Sequence, residues 1–347
     1  VKSFVYTLIK WYIRTGFYFY FKKIRLHRIA DLPWGKPMLL LPNHQNALLD
    51  PLIIAVFAPR KPFFLTRADV FVNPLLNQFF SLLQMLPVYR IRDGRDTLAR
   101  NSAIFERCSS LLAGGEALVM FPEANHNLQR RVRPLSKGFT RILFHSLEKY
   151  PEASIFLVPV GINYRNAAGF PDSVAYYFGH EVAGAPFYNP IDSRNSSLIL
   201  KTVVSDSLKQ LTTHIPENMS YQATIDRLDS MGLDYLNPEE ANTVAAGKQT
   251  IAPADKGFTC SGITGRVSDI LFFCANMASL LLWRAAIKPK ISEPEFISTY
   301  RFLYAILLYP VLYALFFLLL REISGTGLTL VLLFAHLLFN LLYVKLR

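Results

Sequence analysis

The chain has 347 residues, 52% of them hydrophobic and 18% charged, with a mean hydropathy of +0.25 and a formal charge of +12. So apolar a composition excludes a disordered chain and is high for a wholly soluble one. Basic charge on a greasy chain fits an anionic membrane surface better than nucleic acid, whose binding domains are usually polar, and no nucleic-acid partner is expected.

Residues 1–30 hold seven basic side chains and no acid, with dense aromatics from Phe4 to Phe21. Lys10 and Arg14 interrupt the apolar run, and no small-residue cleavage site follows, so neither a clean span nor a signal peptide is expected. Mixed Trp, Tyr and Lys predict an interfacial helix with rings at headgroup level. From 36 to 190 short apolar runs recur at Met38–Leu41, Phe63–Leu65, Ala117–Phe121, Ile155–Val160 and Val174–Phe178. Helical stretches fall between them near 46–57, 74–85, 96–113 and 138–149, which predicts an α/β fold with a largely parallel sheet flanked by helices.

Residues 195–236 read as polar helix, 237–258 as linker, and the 14-residue apolar stretch Ile270–Trp283 as an interfacial or buried helix. Phe302–Leu320 and Thr326–Val344 are each 19 residues without a charge. At about 1.5 Å per residue each reaches roughly 28 Å, close to a hydrocarbon core. They predict a transmembrane hairpin with Lys288, Lys290, Arg301, Lys345 and Arg347 at its outer flanks. By the positive-inside rule the protein is multi-pass, with its catalytic domain cytoplasmic. The expected organisation is an interfacial helix over 1–30, an α/β domain over 31–195, a helical extension and linker over 196–258, an interfacial or buried segment over 259–300, and the hairpin over 301–347. Cys108, Cys260 and Cys274 form no CxxC and no disulfide framework, and are expected as buried thiols in a reducing compartment.

HExxH, GxSxG, the P-loop and a strand-linked GxGxxG are all absent, and the seven histidines have no metal spacing, so no metal is expected. The informative segment is MLLLPNHQNALLDPLI, 38–53. A strand there runs into Asn43 and His44 at the mouth of a parallel sheet, where ligands bind. Asp50 is near enough in sequence to hydrogen-bond the imidazole. A histidine backed by a carboxylate is the general-base pair of acyl transfer, and an acceptor alcohol can then attack a thioester directly. FPEANHN, 121–127, ends another strand and offers Glu123 to hydroxyl groups; Arg130, Arg131, Arg133, Lys137 and Arg141 follow it, as a solvated face or as a phosphate or membrane contact. In LPVYRIRDGRD, 86–96, Arg90 and Arg92 suit a phosphate. VPVGINY, 158–164, is a strand suited to lining an acyl groove.

In that order, NHQNALLD, LPVYR, FPEANHN and VPVGINY resemble the four blocks of the glycerolipid acyltransferases, the group that acylates glycerol-3-phosphate and 1-acylglycerol-3-phosphate. The resemblance covers roughly 36–190 and implies an α/β domain at the membrane face, no metal and no cofactor, with acyl-CoA or acyl-carrier protein as co-substrate. It implies His44 as general base, Asp50 orienting it, Arg90 on the acceptor phosphate, and Glu123 as an acceptor-binding or structural carboxylate. Arg67 resembles the basic residue that often follows the second strand, and Asn43 and Lys137 complete the candidate substrate-binding set. Five residues separate His44 from Asp50 where the common spacing has four, so Gln45 or Asn46 is expected to share the orienting role. This longer form resembles the fungal-type glycerol-3-phosphate/dihydroxyacetone-phosphate subgroup. Ala124 stands where the family usually has Gly, and His126 is a further polar contact. The expected function is a membrane-bound O-acyltransferase; the alternatives are another lysolipid or amino-lipid acceptor, or a non-catalytic lipid-binding scaffold.

Overall fold

In a computed structural model of the chain, residues 2–71, 77, 80, 81, 83–89, 97–248 and 263–347 are described. The apolar runs form one mixed sheet of β1 (Phe21–His27), β2 (Met38–Pro42), β3 (Phe63–Arg67), β4 (Met85–Val88), β5 (Ala117–Val119), β6 (Phe156–Tyr164), β7 (Asp172–Phe178) and β8 (Val182–Ala183). The strand order is β1-β7-β6-β2-β5-β3-β4, with β8 paired to β6; only the β6–β7 and β6–β8 pairings are antiparallel. The helices are α1 (Lys2–Tyr20), α2 (Leu49–Phe57), α3 (Thr97–Ala113), α4 (Gly138–Lys149), α5 (Ser193–Leu211), α6 (Tyr221–Ser230), α7 (Pro238–Ala245), α8 (Ile263–Ala275), α9 (Met277–Leu282) and α10 (Ile297–Leu346).

Both faces of the sheet are covered, which is why β2 reads as an unbroken apolar run rather than an alternating one. Met38 and Leu40 point into a core shared with α1, α2 and Phe302 of α10. Leu39 and Leu41 point into the opposite core, with α4 and α5. Gly161 of β6 is a packing requirement, since a Cβ there would lie 2.0 Å from the Leu211 carbonyl oxygen at the end of α5.

Three segments differ from the reading of the sequence. The first helix stops at Tyr20, and Phe21–His27 is an edge strand parallel to β7. Its alternation of apolar Phe21, Ile24 and Leu26 with basic Lys23 and Arg25 suits a strand with one wet face. Pro238–Ala245 is a helix, not linker, started by Asn237 with Pro238, Glu239 and Glu240 in its first turn. Cys274 is exposed, whereas Cys108 is buried and its thiol is pushed up to about 12 by that burial. Of the helix expected over 74–85, only 77, 80, 81 and 83–85 are among the described residues, and Met85 already begins β4; linker residues 249–258 lie outside the described residues.

The C-terminal helix α10 is folded in two. Gly325 takes φ 75° and ψ 160°, a conformation that interrupts the helix and favours glycine. The Tyr313 hydroxyl and His336 Nδ1 are 2.8 Å apart although 23 residues separate them. A continuous helix would hold them about 34 Å apart, so the two arms run antiparallel. Apolar side chains along both arms face outward, including Leu319 at 63% exposure and Phe334 at 65%. Segments Thr264–Ala275 and Met277–Lys290 meet at 86°. Asn276 at their corner donates to Asn340 Oδ1 at 2.8 Å and accepts from the Tyr309 hydroxyl at 2.7 Å, fixing the bent pair against the hairpin.

Candidate active site

β2 and β5 are neighbouring parallel strands, so the segments leaving their C-terminal ends, 43–50 and 121–127, meet at one edge of the sheet. His44 is held there by its own backbone. Its N–H donates to Glu123 Oε2 at 3.3 Å, and its carbonyl accepts from Asn127 N at 3.0 Å. Its ring lies on Phe121 with centroids 4.0 Å apart. His44 Nδ1 is 2.8 Å from Asp50 Oδ2, and Asp50 is fully buried in the first turn of α2. An ionised carboxylate only accepts, so Nδ1 carries the proton and Nε2 keeps its lone pair. Among the described residues Nε2 has no hydrogen-bond partner.

Asp50 is itself fixed. Its Oδ2 also accepts Gln45 N at 2.9 Å and Asn46 N at 2.8 Å, and its Oδ1 accepts the Tyr164 hydroxyl at 2.7 Å. The fifth intervening residue is thereby absorbed: the chain wraps the carboxylate with two successive amides. Burial, then the adjacent Asp50 charge, hold the Tyr164 phenol well above its ordinary value, so it remains a donor.

The other candidate residues divide. Glu123 is saturated by His44 N, Arg133 N at 2.9 Å and Arg133 Nη2 at 2.8 Å, and its side chain is 3% exposed. Asn43 is buried, with its amide paired to both Ile162 N and Ile162 O of β6. Arg67, at the C-terminal end of β3, is exposed, ion-paired with Asp69, and near enough that its charge acts on His126. Lys137 is exposed at the start of α4. Arg90 and Arg92 lie outside the described residues. The basic run is largely internal. Arg130 donates to Tyr164 O and Arg165 O, Arg131 to Ile215 O and Pro216 O, and Arg133 pairs with Glu123. Gly161 N is also committed, as part of a strand paired with Tyr177.

His126 stands edge-on to His44 with ring centroids 5.6 Å apart and is also met edge-on by Phe296. Burial first, and then the His44 charge, lower its pKa. His126, Glu293 and Glu295 each bring one ligand atom to within 4.8 Å of the others, the only such group of a size to hold a metal ion among the described residues. Reading the sequence missed the pairing of Arg133 with Glu123, the bond of Tyr164 to Asp50 and the segment 293–299. Tyr164 lies within VPVGINY, whose strand character points to it; residues 293–299 carry no signal linking them to a histidine 250 positions earlier.

A family model described as "Acyltransferase" matches residues 23–163. Over these residues the chain is similar to an acyltransferase domain. Glycerol-3-phosphate O-acyltransferase 1 of Saccharomyces cerevisiae is 25% identical over 134 residues, a match covering 37% of this chain but only 18% of the yeast protein. The crystal structure of the 1-acyl-sn-glycerophosphate acyltransferase of Thermotoga maritima aligns with a TM-score of 0.42 and 16% identity, covering 59% of this chain and 80% of that one. His44, Asp50 and Glu123 all lie within the matched residues.

Proposed function

We propose that this protein is a membrane-bound O-acyltransferase that moves an acyl group from acyl-CoA or acyl-carrier protein to a hydroxyl of glycerol-3-phosphate or its 1-acyl form. The observation that carries the reading is the pair His44 Nδ1–Asp50 Oδ2 at 2.8 Å, with Nε2 unpartnered among the described residues at the edge of the sheet. In the reaction, His44 Nε2 takes the proton of the acceptor hydroxyl as its oxygen attacks the thioester carbonyl. Asp50 holds the tautomer and stabilises the imidazolium. Collapse of the tetrahedral intermediate breaks the C–S bond, and the proton on His44 goes to the departing thiolate. No covalent enzyme intermediate is needed.

Arg90 is assigned to the acceptor phosphate, with Arg67 and Lys137 as exposed cations suited to anionic donor or acceptor groups. The outward apolar hairpin supports anchoring in a bilayer, with the catalytic domain on the cytoplasmic side, from which an acyl chain is delivered and to which the product returns. The stripe Phe4, Leu8 and Trp11, all more than half exposed, supports α1 lying in the same interface.

The test is acyl transfer by purified protein in liposomes, with labelled acyl-CoA or acyl-carrier protein offered to each acceptor and His44→Ala in parallel. Transfer to one phosphate acceptor is expected, with kcat at least about a hundredfold lower in the variant. Folded protein inactive with both donors and both acceptors sinks the assignment.

A further inference from the structure

The hairpin does more at its foot than end at the domain surface. Thr299, in the first turn of α10, is 4% exposed and reaches the loop that carries His44. Its hydroxyl oxygen accepts Leu48 N at 3.0 Å, and its proton goes to Asn46 Oδ1 at 3.2 Å. Leu48 is the N-cap residue of α2 and has no side chain able to cap, so Thr299 serves as the helix's cap from a distant part of the chain. Asn46 is fully buried; its side-chain amide donates to Ala167 O at 2.9 Å, and Ser298 Oγ donates to the same carbonyl at 2.7 Å. Arg301 extends the seat by donating to Gly169 O at 2.8 Å.

The backbone amide of Asn46 is one of the three donors on Asp50 Oδ2, together with Gln45 N and His44 Nδ1. A short chain of contacts therefore runs from the hairpin to the general base: Thr299 to Asn46, Asn46 to Asp50, Asp50 to His44. Gln45 and Asn46, two of the five residues between His44 and Asp50, make this wrap, and the hairpin side chain holds Asn46 in place. We propose that Thr299 is a positioning residue for the His44–Asp50 pair, so that seating of the hairpin on the domain sets the rate of the chemical step. The proposal rests on the acyl-transfer reading of His44.

Without the hydroxyl, Leu48 N and Asn46 Oδ1 lose their partner in a site closed to water, and Asn46 must turn to find others. Its amide then leaves Asp50, and the imidazole loses its fixed aim. Thr299→Val, which keeps the shape, is expected to lower kcat about tenfold. Both KM values are expected to stay within about twofold of wild type, since Thr299 touches neither substrate. Thr299→Ser, which restores the hydroxyl, is expected to recover kcat to within about twofold. Should the Val variant fail to fold, Thr299→Ala is read in the same way. Wild-type kcat in the Val variant overturns the proposal. So does a Ser variant no better than Val, which marks a role of shape alone. Wild-type protein that transfers no acyl group ends the acyl-transfer reading itself, a result distinct from either.

Discussion

At the scale of single residues, Glu123 shows how a motif carboxylate is used here. Both of its oxygens are filled by donors from the protein, His44 N and the Arg133 backbone and guanidinium. That geometry suits it to aiming His44, and the substrate-binding role expected of it is separable by experiment. Glu123→Gln keeps the volume but turns one acceptor into a donor that faces another donor. Displacement of His44 by a fraction of an ångström is expected to lower kcat about tenfold to a hundredfold. The acceptor KM should be unmoved. A raised acceptor KM at unchanged kcat would instead make Glu123 a substrate ligand. The strand-end position of Glu123 was legible in FPEANHN, and so was the pairing of His44 with Asp50. The saturation of Glu123 was not, because Arg133 reads equally as a surface cation until the loop closes on itself. Asn43 was open to the same ambiguity: only the register of β2 with β6 turns its amide onto Ile162.

At the scale of elements, the strands buried on both faces were legible because most of their side chains are apolar. The edge strand Phe21–His27 was hidden by its basic residues, which resemble the preceding amphipathic helix. The polar packing of α5 and α7 against the domain was also hidden, since it runs through His214. His214 Nδ1 accepts Val132 N at 3.0 Å, and its own backbone N–H donates to Asn242 Oδ1 at 2.8 Å. Burial, then the Lys209 and Arg131 charges, push its pKa down to about 4 from an ordinary 6.5. The unfolded chain therefore binds this proton at higher pH than the folded one. The stabilisation is complete above about 6.5 and is lost as pH falls toward 4. Asp172 acts in the opposite sense: burial pushes it up to about 7 from 3.8, so its contribution is lost as pH rises through that interval. The comparison is therefore made against His214→Asn, whose Oδ1 replaces Nδ1 as acceptor. The melting temperature of wild type minus that of the variant should shrink between about pH 7 and pH 5; a constant difference would mean that His214 is not neutral in the fold.

At the scale of the whole molecule, the open edge of the sheet and the foot of the hairpin coincide. Thr299 touches Asn46, Phe296 touches His126, and Lys345 returns to Phe21 O, so both arms meet the domain along the sheet edge that holds His44. On the proposed function, a site at that level would sit at the bilayer surface, where an acyl chain can remain in lipid while its thioester reaches His44. The hairpin itself was legible from two uncharged runs around a short link, yet its direction follows from charge. Lys288, Lys290, Arg301, Lys345 and Arg347 gather at the foot, whereas the tip region carries only Arg321 paired with Glu322. The positive-inside rule then predicts the foot and the domain in the cytoplasm and the tip across the bilayer. Each uncharged run of 19 residues, at about 1.5 Å per residue, is long enough for that crossing. The prediction is read with Ile323→Cys at the tip, where the native side chain is 83% exposed, and Arg347→Cys at the foot, both with the native cysteines replaced. A membrane-impermeant maleimide should label the tip in intact cells and the foot only after permeabilisation. A tip that also needs permeabilisation would describe a hairpin that enters and leaves one leaflet, and the protein would then be embedded in a single face of the membrane rather than passing through it.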